Sequence, residues 1–195
     1  NAELAKISLN CYVTMKITYA NMLAELCEKL SGANVDVITR AIGQDSRIGG
    51  KVLRGGLGFG GPCFPRDNRA FVKLAYDYGV DAALSSETHR SNLRQEKRIV
   101  EVLISELQPE AVVVILGVSY KPDTPIVEES QALNIARELS ERGYEVRIHD
   151  RLALENAKEE LGNEMHYMEN ISEALKDADA AIITTLDDEY SKLNA

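Results

Sequence analysis

The run Ala111-Val-Val-Val-Ile-Leu116 decides the fold of the second half of the chain. An unbroken apolar stretch rich in β-branched residues is typical of a parallel strand that is buried on both faces. Two further strands, at 144–149 and 180–185, and two helices, at 129–142 and 154–161, are predicted after it. Strands that alternate with helices in this way predict a doubly wound parallel sheet in residues 108–195.

The first half of the chain carries a helical pattern instead. Helices are predicted at 2–30, 35–42, 65–78 and 82–107, from apolar residues at helical spacing and from glycine or proline near the ends. Eight of the 13 glycines lie between Gly43 and Gly61, which predicts a loop with close backbone approach. The sequence therefore predicts an α/β protein with an all-helical domain, 1–107, followed by a sheet domain, 108–195.

Length, charge and cysteine content argue against several classes of protein. The 195 residues are 45% apolar and 27% charged, and no apolar run approaches the ~18 residues of a membrane span. No signal-peptide pattern opens the chain, so we expect a cytoplasmic protein. Three widely spaced cysteines without a CxxC pair argue against a disulfide framework and a zinc site. The net charge of -9 argues against nucleic acid as a partner.

The acidic average conceals a basic segment. Residues 40–73 contain seven basic and two acidic side chains, so the remainder of the chain carries a charge of -14. This segment is either a local anion-binding site or a solvated basic surface. The chain also begins inside a predicted helix and stops soon after a predicted strand, so we expect it to be a piece of a longer protein.

The segment Gly58-Phe-Gly-Gly-Pro-Cys-Phe-Pro-Arg-Asp67 contains the strongest candidate for a reactive residue. Pro65 is suited to the first turn of a helix, so Cys63 is expected beside a helix N-terminus. Free N–H groups there, together with Arg66, favour a thiolate, which is the nucleophilic form of cysteine. The alternative for Cys63 is a small buried hydrophobe, and that reading suits Cys11 and Cys27, which fit the apolar pattern of the first helix.

Three polar residues could assist such a nucleophile. Lys6 and Asn10 are four residues apart and share one face of the first predicted helix, where they could polarise a substrate oxygen or lie on the surface. Asp67 is equally suited to catalysis and to complementing the helix dipole in the first turn. In the sheet domain, Lys121 follows the strand 111–116 and suits a phosphate, while Asp150 suits either a ribose or a turn.

These residues together resemble the UDP-glucose/GDP-mannose dehydrogenase family. The opening helix with Lys6 and Asn10 resembles its K-x-x-x-N motif, the segment 45–49 its substrate-arginine loop, and the segment 58–67 its nucleophile motif. The resemblance implies the helical dimerisation domain and the Rossmann-like sugar-nucleotide domain of that family. It also implies that the NAD-binding N-terminal domain is missing and that the C-terminal domain is truncated.

The family's chemistry supplies expected roles. The family oxidises the 6-hydroxyl of a nucleotide sugar to a carboxylate with NAD, so Cys63 is expected to form a thiohemiacetal and then a thioester. Lys6 and Asn10 are expected to stabilise the substrate oxygen, and Asp67 to assist proton transfer or orient water. Arg66 is the expected NAD contact.

The same resemblance implies a UDP-sugar or GDP-sugar substrate, with UDP-glucose first, and a homodimer. The expected substrate contacts are Arg47, reaching from the partner subunit, Arg54, Phe59, Gly60 and Lys121. One position departs from the family: Glu128 stands where many members have an arginine.

Two alternatives compete with this enzyme hypothesis. The chain could be a non-catalytic, dimerising nucleotide-binding module whose thiol is unused. It could also belong to a cysteine-dependent hydrolase, which is disfavoured because no histidine stands at a recognisable motif spacing.

Overall fold

The computed structural model describes residues 1–193 and divides the chain into two compact units, Asn1–Gln95 and Glu96–Ala195. The division lies inside the fourth helix, whereas the sequence-based boundary, 107/108, lies just after it. The helices are α1 Ala2–Lys29, α2 Val35–Gly43, α3 Phe64–Asp77, α4 Ala83–Glu106, α5 Gln131–Glu141, α6 Leu154–Leu161 and α7 Ile171–Leu175. The strands are β1 Val112–Leu116, β2 Glu145–His149, β3 His166–Tyr167 and β4 Ala180–Ile183, and a 3-10 turn follows at Tyr190–Lys192.

Unit 1 is built on the long helix α1, which contacts both α2 and α3. Asn34 starts α2, because its side-chain oxygen accepts hydrogen bonds from the backbone N–H groups of Asp36 and Val37 at 2.9 and 3.1 Å. The glycine-rich segment joins α2 to α3 and passes close to α1. A Cβ on Gly55 would lie 2.8 Å from the Cβ of Ala24, so a glycine is needed at this approach.

Unit 2 contains a parallel four-stranded sheet in the order β3-β2-β1-β4. This is the strand order of one end of a doubly wound sheet, in which the chain crosses from one side of β1 to the other after β3. On one face, Val114 and Leu116 pack with Ala174 of α7 and with Tyr190. Residues at alternate positions of β1 point to the opposite face and are equally buried, so both faces of the sheet are covered.

The sequence-based prediction of this unit missed one strand. The segment predicted as a third strand is the fourth, because the two-residue strand β3 pairs with Arg147 and Ile148 before it. The predicted strand 180–185 ends at Ile183, since Thr184 and Thr185 turn over the end of β1. No helix within residues 1–193 is long and apolar enough to span a membrane.

Candidate active site

Cys63 is the N-cap residue of α3 and is exposed to solvent, whereas Cys11 and Cys27 are buried. Its carbonyl oxygen accepts the backbone N–H of Asp67 at 2.8 Å, which closes the first turn. Pro65 is the second helical residue rather than the first, and both positions tolerate the missing N–H. The sulfur therefore lies at a helix N-terminus, with the Arg66 Nη2 atom 3.9 Å away.

Asp67 gathers the other candidate catalytic side chains one turn further along α3. Its Oδ2 atom accepts hydrogen bonds from Lys6 Nζ at 2.8 Å and from Asn10 Nδ2 at 2.6 Å. Its Oδ1 atom lies 3.3 Å from Arg66 Nε. The side chain of Asp67 is only 6% exposed, while those of Lys6 and Arg66 are 56% and 61% exposed. One buried carboxylate thus holds an amide and two cations that still reach solvent.

The surroundings of Asp67 set its protonation state. Burial raises the pKa of this carboxyl, but the hydrogen bonds from Lys6, Asn10 and Arg66 outweigh burial and leave the pKa below its ordinary value. The group is therefore a carboxylate at neutral pH. Burial is also the largest single influence on Cys11, but there it is not outweighed, and the pKa of this thiol is raised. A buried thiol with a raised pKa is a poor nucleophile.

A buried polar pair ties α1 to α3 beneath the site. The Asn68 amide donates to Thr14 Oγ1 and to the Phe64 carbonyl oxygen, both at 2.9 Å. The Thr14 hydroxyl lies 2.9 Å from the carbonyl oxygen of Cys11 and 3.3 Å from Asn68 Oδ1. Both side chains are fully buried. Asn68 and Thr14 therefore fix the register at which Lys6 and Asn10 meet Asp67.

The glycine-rich loop before Cys63 is held by three buried amide side chains that the sequence analysis did not identify. Asn21 of α1 accepts the Gly56 N–H at 2.9 Å and donates to the Leu57 carbonyl at 3.2 Å. Asn92 of α4 accepts the Phe59 N–H at 2.7 Å and donates to the Phe59 carbonyl at 2.8 Å, and Gln95 donates to the Gly56 carbonyl at 2.6 Å. Two features of the sequence could have identified these amides: Asn21 is a polar residue within an apolar helical pattern, and Asn92 and Gln95 are three residues apart on α4.

The expected substrate contacts of unit 1 lie in this loop and in the turn before it. Phe59 is buried and its ring packs edge-on against Phe64 at 6.3 Å between centroids, while Gly60 is half-buried beside it. Arg54 is exposed and lines an open pocket next to α2. Arg47 is 86% exposed and forms a forked ion pair with Asp45, which lowers the pKa of that carboxyl.

The carboxyl edge of the sheet in unit 2 is filled by the chain's own groups. Gly117, at the end of β1, has a φ of +86°, and a Cβ there would lie 2.6 Å from the Cβ of Thr185. One carboxylate oxygen of Asp150 accepts the N–H groups of Val118 and Ser119 at 2.7 and 3.2 Å. The other accepts the N–H groups of residues 152 and 153, both at 2.8 Å. Asp150 therefore closes turns, and its oxygens are not offered to a ribose.

Lys121 is exposed at this same edge, with its Nζ atom 5.5 Å from the centre of the Tyr120 ring. Its position leaves the ammonium exposed to solvent, and the binding of an anion by Lys121 stays a prediction. Within residues 1–193, no group of three or more His, Cys, Asp and Glu side chains is arranged to hold a metal ion.

Comparison with known proteins places this site in a family. The model of the UDP-glucose/GDP-mannose dehydrogenase family, central domain, matches residues 1–94, and that of the family's UDP binding domain matches residues 114–195. The UDP-glucose 6-dehydrogenase of Rhizobium meliloti (strain 1021) is 35% identical over 196 residues, and the UDP-glucose 6-dehydrogenase YwqF of Bacillus subtilis (strain 168) is 33% identical over 187 residues.

A solved structure agrees with the sequence matches. The UDP-glucose dehydrogenase of the hyperthermophilic archaeon Pyrobaculum islandicum superposes on 99% of this chain with a TM-score of 0.95 and 35% identity. The Rhizobium and Bacillus proteins match 99% and 95% of this chain. The chain spans 44%, 42% and 45% of the Rhizobium, Bacillus and Pyrobaculum proteins respectively, which is less than half of each. The chain belongs to the UDP-glucose/GDP-mannose dehydrogenase family.

Proposed function

We propose that this chain is the middle and C-terminal part of an NAD-dependent nucleotide-sugar 6-dehydrogenase, with UDP-glucose as the first expected substrate. The observation that carries the proposal is the exposed Cys63 thiol at the N-terminus of α3, one turn from the carboxylate that gathers Lys6, Asn10 and Arg66. The relatives at 33–35% identity are UDP-glucose 6-dehydrogenases, which supports the choice of substrate.

The proposed chemistry uses Cys63 as a covalent nucleophile. Its thiolate adds to the aldehyde carbon that the first oxidation of the sugar 6-hydroxyl produces, and the resulting oxyanion takes up a proton to give a thiohemiacetal. Oxidation of the thiohemiacetal gives a thioester, which water hydrolyses to the carboxylate with release of the thiol. NAD supplies the hydride acceptor for both oxidations.

The neighbours of Cys63 have separable roles in this scheme. The Lys6 ammonium is anchored to Asp67 by one hydrogen bond and remains more than half exposed, so its other N–H groups are free to stabilise an oxyanion on the substrate. Asn10 is anchored to the same oxygen and supports the same substrate atom. Because the pKa of Asp67 is lowered, this carboxylate is a weak base, which favours orientation of Lys6 and water over proton uptake.

The described residues differ in how well they suit NAD. Arg66 is suited to one contact, because its guanidinium is 61% exposed and can pair with a phosphate. The carboxyl edge of the sheet in unit 2 does not suit a dinucleotide, since Thr185 packs on Gly117 and Asp150 already binds the N–H groups of the following loop. We therefore assign most NAD contacts to a part of the enzyme outside this chain.

Alkylation of the three cysteines tests the nucleophile. Iodoacetamide is expected to modify Cys63 at least about tenfold faster than Cys11 and Cys27, because Cys63 is exposed at a helix N-terminus and the other two thiols are buried. Peptide mass spectrometry measures the three rates, and Cys63→Ser is the control that removes the fast phase. Equal inertness of all three thiols in the folded protein would favour the non-catalytic module.

Calorimetric titration tests the substrate class. UDP-glucose, UDP-N-acetylglucosamine, GDP-mannose and NAD are titrated in parallel into the 195-residue chain. Binding of one sugar nucleotide without NAD would support the proposal and name the sugar. Binding of NAD alone would contradict the assignment of unit 2.

Self-association through α1 is part of the same proposal. Six large apolar side chains on this helix are between 48% and 62% exposed: Leu4, Leu9, Tyr12, Tyr19, Met22 and Leu26. An apolar stripe of this size on a helix is typical of a protein interface. Sedimentation is expected to show a dimer that Leu26→Lys dissociates, and the control Leu74→Lys, on α3 with 40% exposure, is expected to leave it intact. A monomeric parent chain would contradict the dimer.

A further inference from the structure

We propose that Asn21, Asn92 and Gln95 form an amide clamp that positions the glycine loop for the nucleophile and the sugar nucleotide. The inference rests on the proposed function and adds three positioning residues to it. All three side chains are buried, at 5%, 5% and 7% exposure, and come from α1 and α4. Hydrogen bonds from these side chains to the backbone of Gly56, Leu57 and Phe59 span 2.6 to 3.2 Å.

The clamp bonds to the loop backbone at Gly56, Leu57 and Phe59. Asn21 accepts the N–H of Gly56 and donates to the carbonyl of Leu57, so it bonds to the peptide groups on either side of the Gly56–Leu57 peptide. Asn92 takes both backbone groups of Phe59, as a neighbouring β-strand would. A primary amide carries a neutral donor and a neutral acceptor side by side. The choice of asparagine at both positions therefore follows from the two-sided contact.

A glycine-rich loop needs such support because its backbone is otherwise free. Gly56 has a φ of +150° and Gly61 a φ of +79°, conformations that glycine reaches at little steric cost but does not prefer uniquely. Ordering of each residue costs about 1–2 kcal/mol of conformational entropy. Because the clamp orders the loop before a ligand binds, less conformational entropy is lost on binding, and the affinity is higher.

The clamp also locates the nucleophile and the expected sugar contacts. Phe59, held by Asn92, packs against Phe64, the first residue of α3 after Cys63. Gly60 follows Phe59 directly in the chain. A shift of Phe59 therefore moves the turn that presents Cys63, although none of the three amides contacts the thiol. This makes them positioning residues and not catalytic ones.

The test compares two clamp variants with a control between the same helices. Asn92→Asp keeps the acceptor for the Phe59 N–H but places a carboxylate oxygen beside the Phe59 carbonyl, and Asn21→Ala removes both bonds to Gly56 and Leu57. Arg94→Ala is the control, because the ion pair of Arg94 with Glu25 joins α4 to α1 without a contact to the loop.

Three readouts are taken at a temperature where circular dichroism shows each protein folded: amide exchange of residues 54–62, the iodoacetamide rate of Cys63, and the Kd for UDP-glucose. Each clamp variant is expected to speed loop exchange and to weaken UDP-glucose binding by about tenfold, and to change the Cys63 rate, while the control matches the parent. A purely structural role would lower the unfolding midpoint and leave these native-state readouts unchanged.

Parent values in both folded variants, or equal changes in Arg94→Ala, would overturn the clamp. If either asparagine variant does not fold, Gln95→Ala decides the question, because it removes the hydrogen bond to the Gly56 carbonyl. If the parent chain binds no sugar nucleotide, the proposed function fails, whereas loop exchange and the Cys63 rate still judge the clamp.

Discussion

Replacing Asp67 with asparagine tests the centre of the site, because one nearly isosteric change removes the charge that three side chains share. The carboxylate accepts hydrogen bonds from Lys6, Asn10 and Arg66, and hydrogen bonds to a charged group contribute about 1.5–3 kcal/mol each. Lys6 and Arg66 are more than half exposed and regain water, and the new amide oxygen still accepts one N–H. We therefore expect Asp67→Asn to lower the stability of unit 1 by about 2 kcal/mol at pH 7.

The sign of the pH dependence follows from the lowered pKa of Asp67. Its contribution is fully present above the unfolded value of about 3.9 and is lost as the pH falls through the folded pKa. The difference between parent and variant should therefore stay constant from pH 7 to about pH 4 and shrink only as the pH falls further. Hydrogen exchange of peptides from α1 and α3, followed as a function of urea concentration, measures the free energy of unfolding of unit 1 separately from that of unit 2.

A matched control separates this effect from a general loss of negative charge. Asp45 also has a lowered pKa through its pair with Arg47, but this pair is exposed, so Asp45→Asn should change stability little. A difference between parent and Asp67→Asn that does not shrink as the pH falls below about 4 would refute the role assigned to the charge. Equal destabilisation by both variants would do the same.

Two further predictions concern unit 2. Gly117→Ala should destabilise it by about 2–4 kcal/mol, because the residue has a positive φ and the new methyl group would lie 2.6 Å from the Cβ of Thr185. Hydrogen exchange of β1 peptides at increasing urea concentration measures this loss of stability. An unchanged stability would contradict the packing at the end of β1. Tyr190→Phe should cost about 1 kcal/mol, because the hydroxyl donates to the His149 carbonyl at 3.1 Å. Burial raises the pKa of Tyr190, so the stability that the neutral hydroxyl contributes is present below about pH 10 and is lost as the pH rises through the folded pKa. Parent and Tyr190→Phe proteins that lose stability equally at alkaline pH would refute this role of Tyr190.

The sequence predicted the elements that burial dictates. The run 111–116 was expected as a strand and forms β1 at Val112–Leu116, since a strand covered on both faces requires apolar residues at each position. The two residues of β3 were missed, because a strand of that length has no period to detect. Thr184 and Thr185 have strand propensity, yet their hydroxyls donate to carbonyl oxygens at the end of β1 and in the loop that follows it. Such tertiary contacts cannot be predicted from residue propensity.

The part of the candidate site that depends on residues close together in the chain could be predicted from the sequence. A spacing of four residues predicted that Lys6 and Asn10 share a helix face, and in the structure both donate to the same carboxylate oxygen. The meeting with Asp67, more than 50 residues away in the chain, depends on the packing of α1 against α3 and could not follow from spacing. For Asp150, the sequence was compatible with a ribose contact or with a turn. In the structure its carboxylate accepts four backbone N–H groups, which shows that it stabilises turns.

Helix α1 shows why hydrophobic periodicity is an incomplete guide in this chain. Lys6, Asn10, Thr14 and Asn21 lie within about 80° of the helix circumference at 3.6 residues per turn, and this polar stripe holds α3 and the glycine loop. Its apolar stripe lies on the opposite side: Thr14 is fully buried, whereas Leu26 is 51% exposed. The usual assignment of the apolar face to the core is reversed, because the polar face is buried against the site. Helix α1 therefore packs its polar stripe against the site and leaves its apolar stripe exposed, which is the surface that the proposed dimer would use.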